Sequence, residues 1–336
     1  MSAIPPTDPK STPPPLPASS SRTLLVADPL FLEHRTGEHP ESPQRLTAIL
    51  GQLESSGLAA RTRRLAPVAA SLETLLRVHP TDYLERLAAW ESAGGGQVEE
   101  DTVMSSRSAF VARSAAGSLC AIVDRVLDGD ADNGFAAVRP PGHHALADRP
   151  MGFCLLGTIA IAAEHARSRG VDRVLIVDFD VHHGNGTQDL FYDREEIGFL
   201  SLHRFPFYPG TGAATETGTG RGLGTTVNLP MTFGTPTDTI LPRFADAVER
   251  LAERLRPDLL LVSAGFDAHR LDPVGNLGFE VEDFGTITRI LTDAAARWCG
   301  GRLVSVLEGG YHPRWLAESV GIHLQGLIEA TGERSA

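Results

Sequence analysis

Short apolar runs recur along this chain, and four of them end in residues that bind metals or move protons. The β-branched stretch Val174-Leu175-Ile176-Val177 leads directly into Asp178-Phe179-Asp180-Val181-His182-His183-Gly184. Residues 134–138 end in Arg139-Pro140-Pro141-Gly142-His143-His144, residues 259–263 in Ala264-Gly265-Phe266-Asp267-Ala268-His269, and residues 302–307 in Glu308-Gly309-Gly310-Tyr311. Runs this short and this uniformly apolar predict strands buried on both faces. Further strands are predicted at 24–27, 198–203 and 225–229. Between the strands the apolar spacing becomes helical. Ser42-Pro43 reads as an N-cap and a first helical position, with Leu46, Ile49, Leu50 and Leu53 on one face behind it. Helices are also predicted over 106–127, 158–169, 242–255, Val281–Trp298 and 313–330, and a Gly- and Thr-rich loop over 206–224. Strands alternating with helices, without an internal repeat, predict an α/β fold whose largely parallel sheet is covered on both faces. No linker interrupts residues 23–331, which predicts one domain. Residues 1–22, rich in Pro and Ser, read as a disordered tail.

In an open parallel sheet, ligands gather at the carboxyl ends of the strands, where all four chemical segments fall. Side chains alternate along a strand, so Asp178, Asp180 and His182 share one side if the extended geometry persists. A carboxylate and an imidazole two residues apart supply half of a divalent-metal shell. Taken alone, the segment also suits a buried aspartate pair capping a loop. Cys120, Cys154 and Cys299 are far apart with no CxxC spacing, which argues against a thiolate metal site and against a disulfide scaffold. The net charge of −12 disfavours a phosphate-tracking nucleic-acid surface. It suits a cationic partner such as a lysine-rich peptide or a polyamine, or serves solubility alone. With 42% hydrophobic residues and no apolar stretch near membrane-spanning length, the composition is that expected of a cytoplasmic enzyme.

Arg139-Pro140-Pro141-Gly142-His143-His144-Ala145, Asp178 through Thr187, Ser263-Ala264-Gly265-Phe266-Asp267 and Glu308-Gly309-Gly310-Tyr311 resemble the signature motifs of the zinc-dependent histone deacetylase superfamily. His39 through Arg45 and Pro209-Gly210-Thr211-Gly212 are also similar to that family, so the resemblance spans nearly all of the chain after the tail. It implies a three-layer α/β/α architecture with a central, mostly parallel sheet of about eight strands. By the same resemblance Asp180, His182 and Asp267 are the ligands of one Zn²⁺, leaving room for water and a substrate carbonyl. His144 is then the general base, His143 its electrostatic partner, Asp178 the group that orients His143, and Tyr311 the donor to the oxyanion. Gly152, Phe153, Tyr208 and Val274 match the substrate tunnel, and Asp101 a contact at its rim. Arg45 lines an internal pocket or pairs with Glu41. Asp178, Asp180, His182, Ser201 and Leu202 match a structural monovalent-cation site, with K⁺ the expected ion. His34, His79, His165 and His323 read as surface or capping histidines.

One departure concerns Asn185, where several family members carry an aspartate beside the second histidine. A neutral amide orients the ring without favouring its cation, so His144 should titrate lower. The expected reaction is removal of an acetyl group from acetyl-lysine. In the polyamine-specific branch an acidic residue follows Asp-Pro, whereas here Asp272-Pro273 is followed by Val274. Acetylpolyamines and other small acylated amines stay open as alternatives, as does a silent acyl-binding module. A dinuclear ureohydrolase is disfavoured, because Gly184 stands where such enzymes carry a bridging aspartate.

Overall fold

The computed structural model describes residues 21–332. All of the predicted tail except Ser21 and Arg22 lies outside the described residues. Arg22 belongs to the folded part: its guanidinium reaches Asp132 Oδ1 at 2.6 Å.

In chain order the strands are β1 (Thr23–Val26), β2 (Arg63–Arg64), β3 (Gly95–Gln97), β4 (Val103–Ser105) and β5 (Asn133–Ala136). They continue as β6 (Val174–Asp178), β7 (Ile197–Arg204), β8 (Thr226–Met231), β9 (Leu259–Ala264) and β10 (Leu303–Leu307). The helices are α1 (Pro43–Ser55), α2 (Leu72–Leu75), α3 (Thr81–Ser92), α4 (Ser108–Leu127) and α5 (Thr158–Ser168). After them come α6 (Asn185–Phe191), α7 (Thr237–Leu255), α8 (Val281–Trp298) and α9 (Pro313–Gly332).

Eight strands form one parallel sheet in the order β2-β1-β5-β10-β9-β6-β7-β8, and β3 pairs with β4 as a separate antiparallel hairpin. α1, α9, α8 and α7 cover one face while α4 and α5 cover the other, giving the expected three layers. The central strands β6, β9 and β10 are buried at every position, which is why their sequences are continuously apolar rather than alternating. Val306 stands opposite both Ala136 and Ser263, and Ser263 opposite Asp178. The carboxyl ends of β5, β10, β9 and β6 are therefore level, and the loops leaving them meet over one rim. Among the described residues no helix is long and apolar enough to cross a membrane.

Several expectations need correction. The seventh helix starts at Thr237 rather than at Pro242, with the proline inside it. Both Asp238 and Pro242 are exposed, so water can take the carbonyl bond that Pro242 cannot donate to. Ser42 precedes α1 but makes no capping hydrogen bond through its side chain. His34, His79 and His323 are core residues rather than surface histidines. His34 reaches Ser108 Oγ at 2.7 Å, His79 donates to the Ala147 carbonyl at 2.8 Å, and His323 bridges Thr288 and Ser305 at 2.7 and 2.8 Å. His165, half-buried, pairs with Asp124.

Candidate metal centre and active site

Beyond Asp178 the backbone of β6 leaves the sheet, so the shared face of Asp178, Asp180 and His182 does not come from strand periodicity. A bent loop brings them together. Asp178 Oδ1 accepts the Asp180 N–H at 3.0 Å, and Asp180 Oδ1 accepts the His182 N–H at 2.9 Å. Each carboxylate thus folds the backbone two residues ahead of it, as short polar side chains do in turns.

Asp180, His182 and Asp267 are all buried, and one ligand atom from each lies within 4.8 Å of the others. His182 Nδ1 stands 3.0 Å from both Asp180 Oδ1 and Asp267 Oδ2. Asp267 Oδ2 nevertheless has no hydrogen-bond partner, although its other oxygen accepts the Val181 N–H at 2.9 Å. An orphaned buried carboxylate oxygen is costly unless a cation completes it. The surroundings also keep this space open. A Cβ on Gly309 would fall 2.3 Å from Asp267 Oδ2 and 2.5 Å from Asp180 Oδ2. Burial and the neighbouring Asp180 charge push the Asp267 carboxyl up to about 7. Burial opposes charge on His182, yet the two facing carboxylates raise it to about 10. This is an excess of negative charge that a divalent cation would neutralise, and the three donors fit one.

The tandem histidines differ sharply. His143 Nδ1 lies 2.9 Å from Asp178 Oδ2. Burial disfavours its cation, but Asp178 and Asp180 outweigh burial and raise it to about 10. His144 Nδ1 bonds Asn185 Oδ1 at 2.7 Å, the ring centroids of the pair being 4.0 Å apart. Burial, followed by the His143 charge, holds His144 well below its ordinary value, and the neutral amide does little to oppose them. Since Asn185 Oδ1 only accepts, Nδ1 carries the hydrogen and Nε2 keeps a free lone pair.

His144, His182 and Tyr311 share a cavity of about 220 Å³ with Asp101, Gly152, Phe153, Tyr208 and Val274. The sequence reading missed its remaining wall residue. Phe207 stacks on His182 at 5.2 Å between centroids and 16° between planes. The Phe205-Pro206-Phe207-Tyr208-Pro209 run marks an aromatic turn, but only the backbone decides which ring faces inward. Asp101 sits between β3 and β4, where its Oδ1 accepts the Gly152 N–H at 3.1 Å and its carbonyl meets His39 Nε2 at 3.1 Å. Burial, then Asp267, hold the Tyr311 hydroxyl well above its ordinary pKa, so it stays protonated.

Of its two anticipated roles, Arg45 takes the pairing with Glu41. It pairs with Glu41 at 2.9 Å, donates to the Gly310 carbonyl at 2.5 Å and to that of Glu308, and lies 5.0 Å from the Tyr311 ring centre. Glu308 is a second residue the sequence left without a role. Its Oε2 accepts the N–H groups of Gly142 and His143 at 2.6 and 3.1 Å, holding the loop after β5 against the end of β10. Burial pushes Glu308 up to about 7 against the pull of His143. An acid ending an apolar run was the available signal. Ser201 lies beside Asp178 in the β6–β7 pairing, with Leu202 following it, and its hydroxyl reaches His203 Nδ1 at 3.0 Å.

Comparison with known proteins gives the family. The model of the histone deacetylase domain matches residues 39–327. A histone deacetylase-like amidohydrolase of Pseudomonas aeruginosa is 44% identical over 94% of this chain and 87% of its own length. A probable deacetylase of Archaeoglobus fulgidus is 38% identical over 86% of this chain and 81% of its own. The crystal structure of the HDA15 HD domain superposes with a TM-score of 0.87 at 37% identity, covering 93% of this chain and 89% of that one. The eight-stranded sheet, the loops that leave its carboxyl edge and these matches together establish that the chain belongs to the histone deacetylase domain family.

Proposed function

We propose that this protein is a zinc-dependent amidohydrolase that removes the acetyl group from acetyl-lysine side chains. One observation carries the reading: a neutral imidazole and a protonated phenol line the same 220 Å³ cavity as His182, one of three buried donors suited to a single dication. The relatives named deacetylase and amidohydrolase support the reaction class.

Zinc held by Asp180, His182 and Asp267 would supply Lewis acidity toward the amide carbonyl and a water acidified toward neutral pH. His144 Nε2 is placed to take a proton from the water that attacks the carbonyl carbon and to return it to the departing amine nitrogen as the C–N bond breaks. His143, cationic beside Asp178, lends positive charge to the transition state and keeps His144 neutral beforehand. Tyr311 donates its hydroxyl proton to the negative charge that develops on the carbonyl oxygen. Phe153, Phe207 and Tyr208 provide aromatic surface for a methylene chain. Among the described residues that line this cavity the one acidic side chain is Asp101, and Val274 offers nothing to pair with a distant ammonium.

The test is acetate release by zinc-loaded protein on matched panels of acetyl-lysine peptides and acetylated polyamines, with metal-free protein as control. Metal-dependent release that favours peptides is expected. Preference for polyamines would overturn the lysine assignment, and silence on both panels with zinc bound would overturn the enzymatic one.

A further inference from the structure

Asp272 entered the sequence reading only as the residue before Pro273. In the structure it is 8% exposed, and both of its oxygens are taken up by backbone. Oδ1 accepts the N–H groups of Val274 and Gly275 at 2.9 and 3.0 Å, which folds its own loop. Oδ2 accepts the N–H of Tyr311 at 2.6 Å and that of His312 at 3.3 Å, which belong to the loop after β10. One carboxylate therefore staples the loop that holds Asp267 and Val274 to the loop that holds Tyr311.

The backbone just before Tyr311 is held from other loops: the Gly309 N–H donates to Asp180 Oδ2 at 2.8 Å, its carbonyl accepts the Phe266 N–H at 3.0 Å, and the Gly310 carbonyl accepts from Arg45. Gly310 has φ +121°, which only glycine adopts readily. The Tyr311 ring has an edge contact with Phe153 at 5.8 Å and a guanidinium contact with Arg45 at 5.0 Å, both of which tolerate sliding. The short bond to Asp272 is directional and charge-assisted, a class about twice as strong as neutral hydrogen bonds. Past the anchors at Gly309 and Gly310, it is the bond that fixes the Tyr311 amide itself, and with it the reach of the hydroxyl.

We infer that Asp272 is a positioning residue which fixes the Tyr311 hydroxyl relative to the loop of Asp267. The inference rests on the deacetylase reading above, in which Tyr311 donates to the oxyanion. Asp272→Asn separates this role from folding. The amide keeps an oxygen for Val274 and Gly275, but turns an N–H toward the N–H of Tyr311. A misplacement on the order of 1 Å lowers turnover about a hundredfold. Asp272→Asn is therefore expected to reduce kcat roughly ten- to a hundredfold with KM within about twofold. In a Tyr311→Phe background the same change should lower the residual kcat less than about twofold, because the hydroxyl it positions is gone. Hydrogen exchange of metal-free protein supplies a readout independent of turnover, with faster exchange expected at the Tyr311 and His312 amides. Should Asp272→Asn unfold, Asp272→Ser keeps an acceptor for the turn and replaces it. Equal losses of kcat in both backgrounds, an unchanged kcat or unchanged exchange at those amides would each overturn the inference. An inactive parent protein would instead overturn the deacetylase reading and leave the exchange result to judge the staple.

Discussion

At the scale of single residues, the proposed mechanism separates groups that would hold a cation from groups that would handle a proton. Neither His144 nor Tyr311 belongs to the Asp180, His182, Asp267 cluster. Tyr311→Phe is expected to lower kcat about a hundred- to a thousandfold, the range seen when one oxyanion donor is removed. His144→Ala should lose about a hundred- to ten-thousandfold. Both variants should keep full zinc content by metal analysis, and near-normal turnover in either would remove that residue from its role. Asn185 carries a pH prediction. A base works when deprotonated, so kcat/KM rises with pH through the pKa of His144. Asn185→Asp puts a carboxylate at the 2.7 Å contact with His144 Nδ1 and favours the imidazolium. The acidic limb of the kcat/KM profile should therefore move to higher pH. A limb left in place or moved to lower pH would mean that another group sets it.

At the scale of elements, the strand ends were legible because β6, β9 and β10 are buried on both faces and so spell themselves as continuous apolar runs. The chemistry at their carboxyl ends followed from sheet geometry, which places Asp180, Asp267 and Tyr311 on one rim. What was not legible depends on contacts distant in sequence. β2 and the hairpin of β3 and β4 have two or three residues each, too few for a periodicity. Phe207 faces the cavity because of a turn, and Asp272 matters because its Oδ2 faces a loop 39 residues away. The buried histidines were misread because a histidine in isolation reveals nothing about whether a Thr or Ser hydroxyl will meet it. The start of α6 shows how tightly an element can position the site. Its Gly186 and Thr187 N–H groups donate to the His143 carbonyl at 3.0 and 3.2 Å. A Cβ on Gly186 would lie 2.3 Å from the Ala145 carbonyl oxygen and 2.7 Å from the His144 carbonyl carbon, both rigid backbone atoms. Gly186→Ala is expected to destabilise the fold by about 1–3 kcal/mol through overpacking. It should also reduce kcat, since the strain falls on the loop that aims both histidines. Urea unfolding and steady-state kinetics check the two effects. If both stay at the parent values, the loop yields freely and its precision does not depend on this contact.

Across the whole molecule, acid sensitivity follows from how many ionisable groups the core keeps in one state. Burial holds His79, His183 and His203 down at about 4 and His323 at about 3. Above about pH 6.5 these rings are neutral in both the folded and the unfolded chain and exert no pH effect. Between about 6.5 and 4 the unfolded chain takes up protons that the folded chain refuses, so stability falls as pH falls and levels off below the folded pKa values. Glu41 adds a loss in the same direction but at lower pH. Burial opposes its ionisation, but Arg139 at 2.5 Å and Arg45 hold it well below 4.5, so its contribution persists until the pH falls through that depressed value. For His79 alone, the shift from about 6.5 to about 4 amounts to about 2 kcal/mol at pH 5. His79 is well suited to a test because it lies outside the cavity, bonded to the Ala147 carbonyl and to the Gly157 N–H at 2.8 and 3.0 Å. Urea unfolding of the parent and of His79→Gln, at about pH 7.5 and about pH 5 with metal content held constant, isolates its share. The variant should be the less stable protein near pH 7.5, because its amide fits the two backbone bonds less well. Its stability should then drop by about 2 kcal/mol less than the parent's between the two pH values. Equal drops in the two proteins would show that His79 is not among the groups whose protonation opens the fold in acid.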